Sequence, residues 1–301
     1  MPIYYSADYC RSEFEFDTTR KAKWVADSLV ARPIAGASLR APPMLTEDLL
    51  SDVHAPEYIR AVRTGEPRGL AESQGFDWDA GLWSSVLASS SGAAAAGLMA
   101  MRHGVAGSLS SGLHHAMSYR GAGFCTFNGL ALAARAALAC GAGRILILDL
   151  DAHCGGGTYS LVKDDTRIVH VDVSVSRFDS YVPDGVSSLW LIENGAAYLP
   201  TIANSVLPRL RGPFDLCLYN AGMDPHENCA TGGLSGITTE ILAERERMVF
   251  EWARSTGTPI AFVLAGGYVG DKLSQSELVH LHRLTINAAA GQPAEEATCA
   301  S

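Results

Sequence analysis

The sequence predicts an α/β fold in which helices cover both faces of a mainly parallel sheet, giving three layers, α/β/α. Short apolar runs alternate with helical segments through the second half of the chain. The clearest run, RILILDL at 144–150, is almost continuously apolar, which is typical of a strand buried on both faces. Neither a repeat nor a low-complexity linker divides the 301 residues, so we expect one domain over 1–301.

The individual elements follow from the same patterns. Further strands are predicted at 167–173, 214–219 and 259–264, with helices at 128–140, 193–211 and 238–255. Upstream, the periodicity predicts a helix over 17–31 whose N-cap is Asp17, Thr18 or Thr19. Residues 46–63 indicate two short helices split near Pro56, and residues 80–102 indicate a long helix of small residues suited to close packing.

Composition and charge exclude several classes of protein. With 23 Lys+Arg against 32 Asp+Glu, the net charge is −9, which argues against binding to a nucleic-acid backbone. The content of hydrophobic residues, 48%, excludes a largely disordered chain. The seven cysteines form no CxxC pair, the N-terminus lacks the pattern of a signal peptide, and the most apolar stretch, 92–101, is too short to span a bilayer. We therefore expect a soluble, cytoplasmic protein with neither a nucleic-acid nor a membrane partner.

Polar side chains cluster where the predicted strands end, which is where open α/β sheets bind ligands. Asp151 and His153 follow the strand at 144–150, and Asp224 follows the strand at 214–219. The D-x-H spacing sends the first two side chains to one side of the chain. Zinc accepts this set of one imidazole and two carboxylates, and it lowers the pKa of its water toward about 7.

Other residues near these strand ends fit the remaining steps of amide or ester hydrolysis. The pair His114-His115 offers a general base and a general acid, and Asp149 is placed to orient one imidazole. Tyr268, after the strand at 259–264, is placed to donate its hydroxyl to a developing oxyanion.

Six segments in the right order resemble the histone deacetylase superfamily, which includes acetylpolyamine amidohydrolases and acetoin-utilisation proteins. They are VHAPEYIRAV at 53–62, GLHHA at 112–116 with GFCTFN at 123–128, LDLDAHCGGGT at 148–158, NAGMDP at 220–225, GGLSGITT at 232–239 and LAGGY at 264–268.

The resemblance implies an arginase/deacetylase-type fold and a zinc-dependent hydrolase that removes an acyl group, in the first place acetyl, from an amine with metal-activated water. It places the metal, zinc or in its stead Fe²⁺, on Asp151, His153 and Asp224. The substrate is expected to be a small-molecule or peptide acyl amine, and the oligomeric state stays open.

The resemblance also implies the roles of the remaining site residues. His115 is the base and acid, His114 is its electrostatic partner held by Asp149, and Tyr268 stabilises the oxyanion. Phe124 forms an aromatic wall of the substrate channel beside the Gly123 backbone. A potassium ion is expected near Asp149 and Asp151.

Three positions depart from the pattern of the family. Cys154 replaces its second His after the DxD segment, and Gly156 replaces the Asp or Asn that supports the second active-site histidine. We therefore expect His115 to lack an orienting partner. The segment after Val173 is short, and if Val182 takes the place of the second channel aromatic, the channel is wider on that side.

Two alternatives can be weighed from the sequence. A ureohydrolase of the arginase type needs further carboxylates for two metals, but those positions are Gly155 and Gly222, which disfavours it. A catalytically silent relative that binds an acylated ligand or a partner protein is kept open by Cys154 and Gly156.

Overall fold

A single eight-stranded sheet forms the centre of the protein. The computed structural model describes residues 1–12 and 16–292. The strands are β1 (Pro2–Tyr4), β2 (Ser38–Arg40), β3 (Val105–Ser108), β4 (Ile145–Asp149), β5 (Ile168–Ser174), β6 (Ser188–Leu191), β7 (Leu216–Ala221) and β8 (Ile260–Leu264). They lie in the order β2-β1-β3-β8-β7-β4-β5-β6, and every neighbouring pair is parallel. The predicted parallel α/β fold is confirmed.

Ten α-helices connect and cover these strands in the described part of the chain. They are α1 (Asp17–Ala31), α2 (Glu47–Ser51), α3 (Pro56–Thr64), α4 (Arg68–Ala71), α5 (Leu82–His103), α6 (Gly129–Ala139), α7 (Gly156–Val162), α8 (Gly195–Thr201), α9 (Thr239–Thr256) and α10 (Gln275–Ala289). The helix over 17–31 and the break before Pro56 are confirmed. The helix predicted over 193–211 is α-helical only in α8. It continues as a π-helical turn over Ile202–Val206 and a 3₁₀ turn over Leu207–Arg209.

The predicted N-cap of α1 is wrong. Phe16 occupies the cap position and makes no side-chain cap hydrogen bond. The Asp17 carboxylate accepts a hydrogen bond from the Val269 backbone instead, at 2.8 Å. This bond joins the start of α1 to the loop after β8, so a long-range contact replaces the local cap.

The two faces of the sheet are covered by different helices. Because successive strand residues point to opposite faces, Leu146 and Leu148 of β4 pack with α1, α8, α9 and α10, whereas Ile145 and Ile147 pack with α2, α3, α5 and α6. The small residues of α5 allow its close approach to the sheet. A side-chain carbon at Gly92 would lie 2.5 Å from Oγ of Ser108 in β3.

Helix α5 is long and apolar enough to cross a membrane by composition alone. Of its most apolar window, 72% is buried inside the protein. This burial is what the core helix of a soluble protein shows, so α5 carries no independent evidence of a membrane span.

A buried ion pair supports the segment that follows β4. Arg245 and Glu246 are both fully buried, and the guanidinium Nη2 donates to Glu246 Oε1 at 2.6 Å. The same guanidinium donates to the Leu150 carbonyl oxygen at 3.2 Å, between Asp149 and Asp151. Arg245 therefore fixes the backbone of the D-x-D segment through the carbonyl oxygen of its middle residue, Leu150.

Replacing Arg245 by methionine is expected to lower the free energy of unfolding by about 3–5 kcal/mol, because it leaves a buried carboxylate without its counterion. Urea denaturation measures the difference. Arg247→Met on the same helix is the control, since its pairs with Glu244 and Glu251 are exposed and removing them costs about 1 kcal/mol or less. Equal losses in the two variants would contradict the assigned role of Arg245.

Candidate active site

Five neighbouring strands, β3, β8, β7, β4 and β5, each deliver polar side chains to one point at the carboxyl edge of the sheet. His114 and His115 follow β3, Tyr268 follows β8, Asp224 follows β7, Asp149, Asp151 and His153 come from the end of β4, and Asp179 follows β5. The sequence predicted all of these except Asp179, and the structure brings them together.

Asp151, His153 and Asp224 form a buried group of possible metal ligands. His153 Nδ1 lies 3.2 Å from Asp151 Oδ1 and 3.1 Å from Asp224 Oδ2. Four-coordinate zinc with bonds of about 2.0–2.2 Å holds its ligand atoms about 3.3–3.5 Å apart, so these separations fit such an ion. Two carboxylates buried side by side also favour a cation, and burial together with the charge of Asp151 raises the pKa of Asp224 to about 6.

Backbone groups hold the two carboxylates in place. The Gly266 N–H donates to Asp151 Oδ2 at 2.7 Å, and the Ala152 N–H donates to Asp224 Oδ1 at 2.9 Å. A side-chain carbon at Gly266 would lie 2.0 Å from Asp224 Oδ2, and one at Gly222 would lie 2.5 Å from Asp151 Cα. A further carboxylate at position 222 therefore has no room, in agreement with the low weight given to the arginase alternative.

His114 is a buried histidine paired with a carboxylate. Its Nδ1 lies 2.7 Å from Asp149 Oδ2, and its Nε2 lies 3.5 Å from Asp151 Oδ1. Burial disfavours the charged imidazole, but the carboxylates of Asp149 and Asp151 outweigh burial and raise the pKa of His114 to about 10. The structure thus joins His114 to Asp149 as an ion pair.

His115 has an orienting partner, which corrects the expectation drawn from Gly156. Its Nδ1 lies 2.9 Å from Asp179 Oδ2. Burial and the charge of His114 lower the pKa of His115 to about 4, against the opposing effect of Asp179. His115 is therefore neutral at pH 7, and since Nδ1 is bonded to Asp179, its Nε2 is the nitrogen that can accept a proton.

Tyr268 reaches the same site from the loop after β8. Its hydroxyl oxygen accepts a hydrogen bond from Thr18 Oγ1 at 3.4 Å. Burial and the carboxylates of Asp224 and Asp151 raise the pKa of Tyr268 well above its usual value. The phenol consequently keeps its proton and can donate it in a hydrogen bond.

Aromatic rings line the approach to His115. Phe124 is half-buried and stacks on Phe16, with the ring centroids 4.4 Å apart. Phe178 places its ring edge-on to His115 at 4.9 Å and to His153 at 6.0 Å, measured between ring centroids. A side-chain carbon at Gly123 would lie 2.5 Å from His115 Cδ2 and 3.0 Å from Phe178, so glycine keeps this space open.

In the loop after β5, the side chain that lies against His115 is that of Phe178 and not that of Val182, so the condition for a wider channel at Val182 is not met. Val182 is 86% exposed, whereas the ring of Phe178 contacts the imidazoles of His115 and His153.

A second buried group of possible cation ligands lies beside the first. It comprises Asp149, His170 and Asp172, whose ligand atoms lie within 4.8 Å of one another. His170 Nε2 has no hydrogen-bond partner in the described part of the chain, while Nδ1 lies 3.3 Å from Tyr181 Oη. This group adjoins the point where the sequence predicted potassium, although the predicted partner of Asp149 was Asp151.

Among the residues that sequence reasoning missed, Lys21 is the most unusual. It is fully buried, and its Nζ donates to the Thr18 carbonyl oxygen at 2.8 Å. Burial lowers the pKa of Lys21 to about 8, with the charges of Asp151 and Asp224 opposing this effect. Helix α1 is amphipathic, and nothing in its sequence distinguishes the buried Lys21 from a lysine on the exposed face.

The fold and the site together define an α/β protein of the arginase/deacetylase type. Two solved structures have the same fold, each with a TM-score of 0.79. The HD domain of HDA15 is 20% identical, and the match covers 98% of this chain and 91% of that chain. An acetylpolyamine aminohydrolase from Burkholderia pseudomallei is 18% identical, with coverage of 97% and 99%.

The sequence profile of the histone deacetylase domain matches residues 16–188. The chain belongs to the histone deacetylase family. The matched span contains both active-site histidines and Asp179, whereas Asp224 and Tyr268 lie beyond it and are joined to it by the sheet.

Curated relatives agree with this family. An uncharacterised protein of Picosynechococcus is 33% identical over 249 residues, 79% of this chain and 80% of the relative. Histone deacetylase 2 of Arabidopsis thaliana is 31% identical over 57% of this chain, and the polyamine deacetylase HDAC10 of Homo sapiens is 27% identical over 94%. The matches span 46% of the length of each of these last two proteins.

Proposed function

We propose that this chain is a zinc-dependent amidohydrolase that removes an acyl group, in the first place acetyl, from an amine. The observation that carries the proposal is the buried triad of Asp151, His153 and Asp224 beside a neutral His115. Tyr268, with its proton retained, completes the set. Membership of a hydrolase family supports the same reaction class.

The proposed metal site consists of Asp151, His153 and Asp224. A zinc ion held there supplies Lewis-acid polarisation of the acyl carbonyl and makes water a better nucleophile at neutral pH. Fe²⁺ accepts the same donors and is the alternative metal. We assign the predicted potassium ion to the neighbourhood of Asp149, where the buried carboxyl group of Asp172 offers further oxygen ligands.

Three side chains carry out the proposed proton transfer and charge stabilisation. His115 takes a proton from the attacking water through Nε2 and passes it to the leaving amine. His114, charged by its pairing with Asp149, provides positive charge beside the reacting carbonyl. Tyr268 donates its hydroxyl hydrogen bond to the carbonyl oxygen as negative charge develops on it.

The proposed substrate is a small-molecule or peptide acyl amine held between Phe124 and Phe178. Two relatives whose names mention polyamines make acetylpolyamines the first compounds to assay. The net charge of −9 favours such cationic amines. We further propose that residues 1–301 act as one catalytic domain in the cytoplasm, without a nucleic-acid or membrane partner.

Cys154 and Gly156 are the two departures from the family pattern that favour a catalytically silent relative, and the contacts around them weaken that alternative. The Cys154 thiol donates to the Ser176 carbonyl oxygen at 3.2 Å, and burial raises the pKa of Cys154 to about 12. It is neither a metal ligand nor a nucleophile in this arrangement. The carboxylate missing at Gly156 is matched by that of Asp179.

Purified protein loaded with zinc is expected to hydrolyse at least one member of a panel of acetyl-lysine peptides, acetylpolyamines such as N-acetylputrescine, and small N-acyl compounds. Removing the metal with a chelator is expected to reduce turnover to background, and adding zinc is expected to restore it. Release of the free amine is the measured quantity.

Two controls test separately whether the chain is an enzyme and whether His115 is its base. If the zinc-loaded protein turns over no compound of the panel, the silent relative becomes the better description. If His115→Ala retains full activity while the wild type is active, His115 is not the base although the chain is an enzyme.

A further inference from the structure

The turn formed by Phe178 and Asp179 is fastened at two points to the segment after β4 and at a third point to His115, which follows β3. The Cys154 N–H donates to the Phe178 carbonyl oxygen at 3.1 Å, and the Gly157 N–H donates to Asp179 Oδ2 at 3.0 Å. The third point is the pairing of Asp179 Oδ2 with His115 Nδ1 at 2.9 Å. The Asp179 side chain is only 14% exposed, so these contacts are largely shielded from water.

Asp179 adopts an unusual backbone conformation in order to make these contacts. Its φ is +58°, a left-handed value that few residues other than glycine adopt. Aspartate tolerates this region better than most side chains. The strain indicates that the position of the carboxylate, rather than local propensity, fixes the turn.

The space that Asp179 fills exists because residue 156 is glycine. A side-chain carbon at Gly156 would lie 2.3 Å from the Asp179 carbonyl oxygen and 2.5 Å from Asp179 Oδ1. The family pattern places an Asp or Asn at position 156, where it supports the second histidine. Steric overlap therefore makes a side chain at 156 and the observed position of Asp179 mutually exclusive.

We propose that Asp179 is the positioning residue of His115 and has taken over the task that a side chain at position 156 performs elsewhere in the family. Its carboxylate accepts a hydrogen bond from the Nδ1–H of His115, which fixes one tautomer and leaves Nε2 free for proton transfer. Phe178, the preceding residue, packs on the same imidazole. One turn after β5 thus sets both the orientation of the base and one wall of the channel.

This inference rests on the proposed function for its kinetic consequence. Asp179 does not touch the substrate, so its loss is expected to lower kcat and leave KM nearly unchanged. Outer-sphere partners of this kind are worth about 10–100-fold in activity. The same loss would leave the proposed metal ligands in place.

The test is a swap of the carboxylate between the two positions. In Asp179→Gly, which suits the positive φ, kcat with N-acetylputrescine is expected to fall about 10–100-fold. Gly156→Asp alone is expected to impair turnover as well, because its side chain overlaps both the carbonyl oxygen and the carboxylate of Asp179. The double variant Gly156→Asp/Asp179→Gly is expected to be more active than either single variant.

A second readout does not depend on turnover. The NMR signal of the His115 Nδ1 proton, identified by its absence from His115→Ala, is expected in the wild type, to vanish in Asp179→Gly and to return in the double variant. If the glycine variant does not fold, Asp179→Asn is used instead, because asparagine keeps the shape of the side chain. Asp179→Asn is expected to weaken the same signal. Asp184→Gly, in the same loop and exposed, is the control for loop flexibility.

The outcomes distinguish the two proposals. If no panel compound is hydrolysed but the NMR pattern holds, the proposed function fails and the positioning role of Asp179 stands. If Asp179→Gly keeps both kcat and the proton signal, the role assigned to Asp179 is overturned.

Discussion

Replacing Asp224 by alanine is expected to abolish zinc binding and to lower turnover by about 10³-fold or more. Asp224 is fully buried, and its Oδ2 lies 3.1 Å from His153 Nδ1. Without it, only Asp151 and His153 remain, one ligand short of the three that a catalytic zinc site uses. The loss should exceed the about 10–100-fold that outer-sphere substitutions cost.

Bound zinc per chain and kcat with the panel substrate are the two measurements. Asp224→Asn, which preserves volume in the buried site, should lose both quantities as well, and a thermal melt shows that each variant is folded. Asp52→Ala, at an exposed aspartate, is the matched control and should keep both. If Asp224→Ala and the wild type behave alike across the panel, the enzyme assignment fails.

Replacing Tyr268 by phenylalanine is expected to lower kcat by about 10²–10³-fold, the usual cost of removing one oxyanion donor. The high pKa of Tyr268 keeps the phenol protonated, so the hydroxyl is available as a donor throughout the neutral range. Because the hydrogen bond strengthens only as charge develops on the carbonyl oxygen, KM should change little.

Steady-state kinetics separate this role from a packing role. Tyr268 also packs on Phe16, with the ring centroids 5.1 Å apart, and phenylalanine preserves that contact. Tyr119→Phe, at a residue that is 62% exposed, is the matched control. A rise in KM with unchanged kcat in Tyr268→Phe would assign the hydroxyl to substrate binding and contradict the oxyanion role.

The predictable part of the fold is the part buried on both faces. Strands β4, β5, β7 and β8 were predicted because each forms a mostly apolar run of five to seven residues. Strands β1, β2, β3 and β6 were missed, since they have only three or four residues each and their composition, such as VAGS in β3, favours no strand. Pairing with longer neighbours defines them.

The residues of the candidate site likewise fall into those that the sequence predicted and one that it did not. Residues in short motifs at strand ends, such as Asp151 and His153, were predicted because their spacing already places them on one side of the chain. Asp179 lies in an irregular loop 64 positions from His115, and no periodicity links the two. Its role depends on the empty space at Gly156, which is a property of three-dimensional packing.

The position of β8 in the sheet has a consequence for biosynthesis. β8 lies between β3 and β7, and Val105 pairs with Ile260 across about half of the chain. Until the ribosome has made residue 264, the two halves of the sheet cannot join, and β3 and β7 each present an unpaired edge in the nascent chain. Closing so large a loop is slow, and exposed edges of this kind favour misassociation. The arrangement that gathers the site residues from five strands therefore leaves two sheet edges unpaired until β8 has been synthesised.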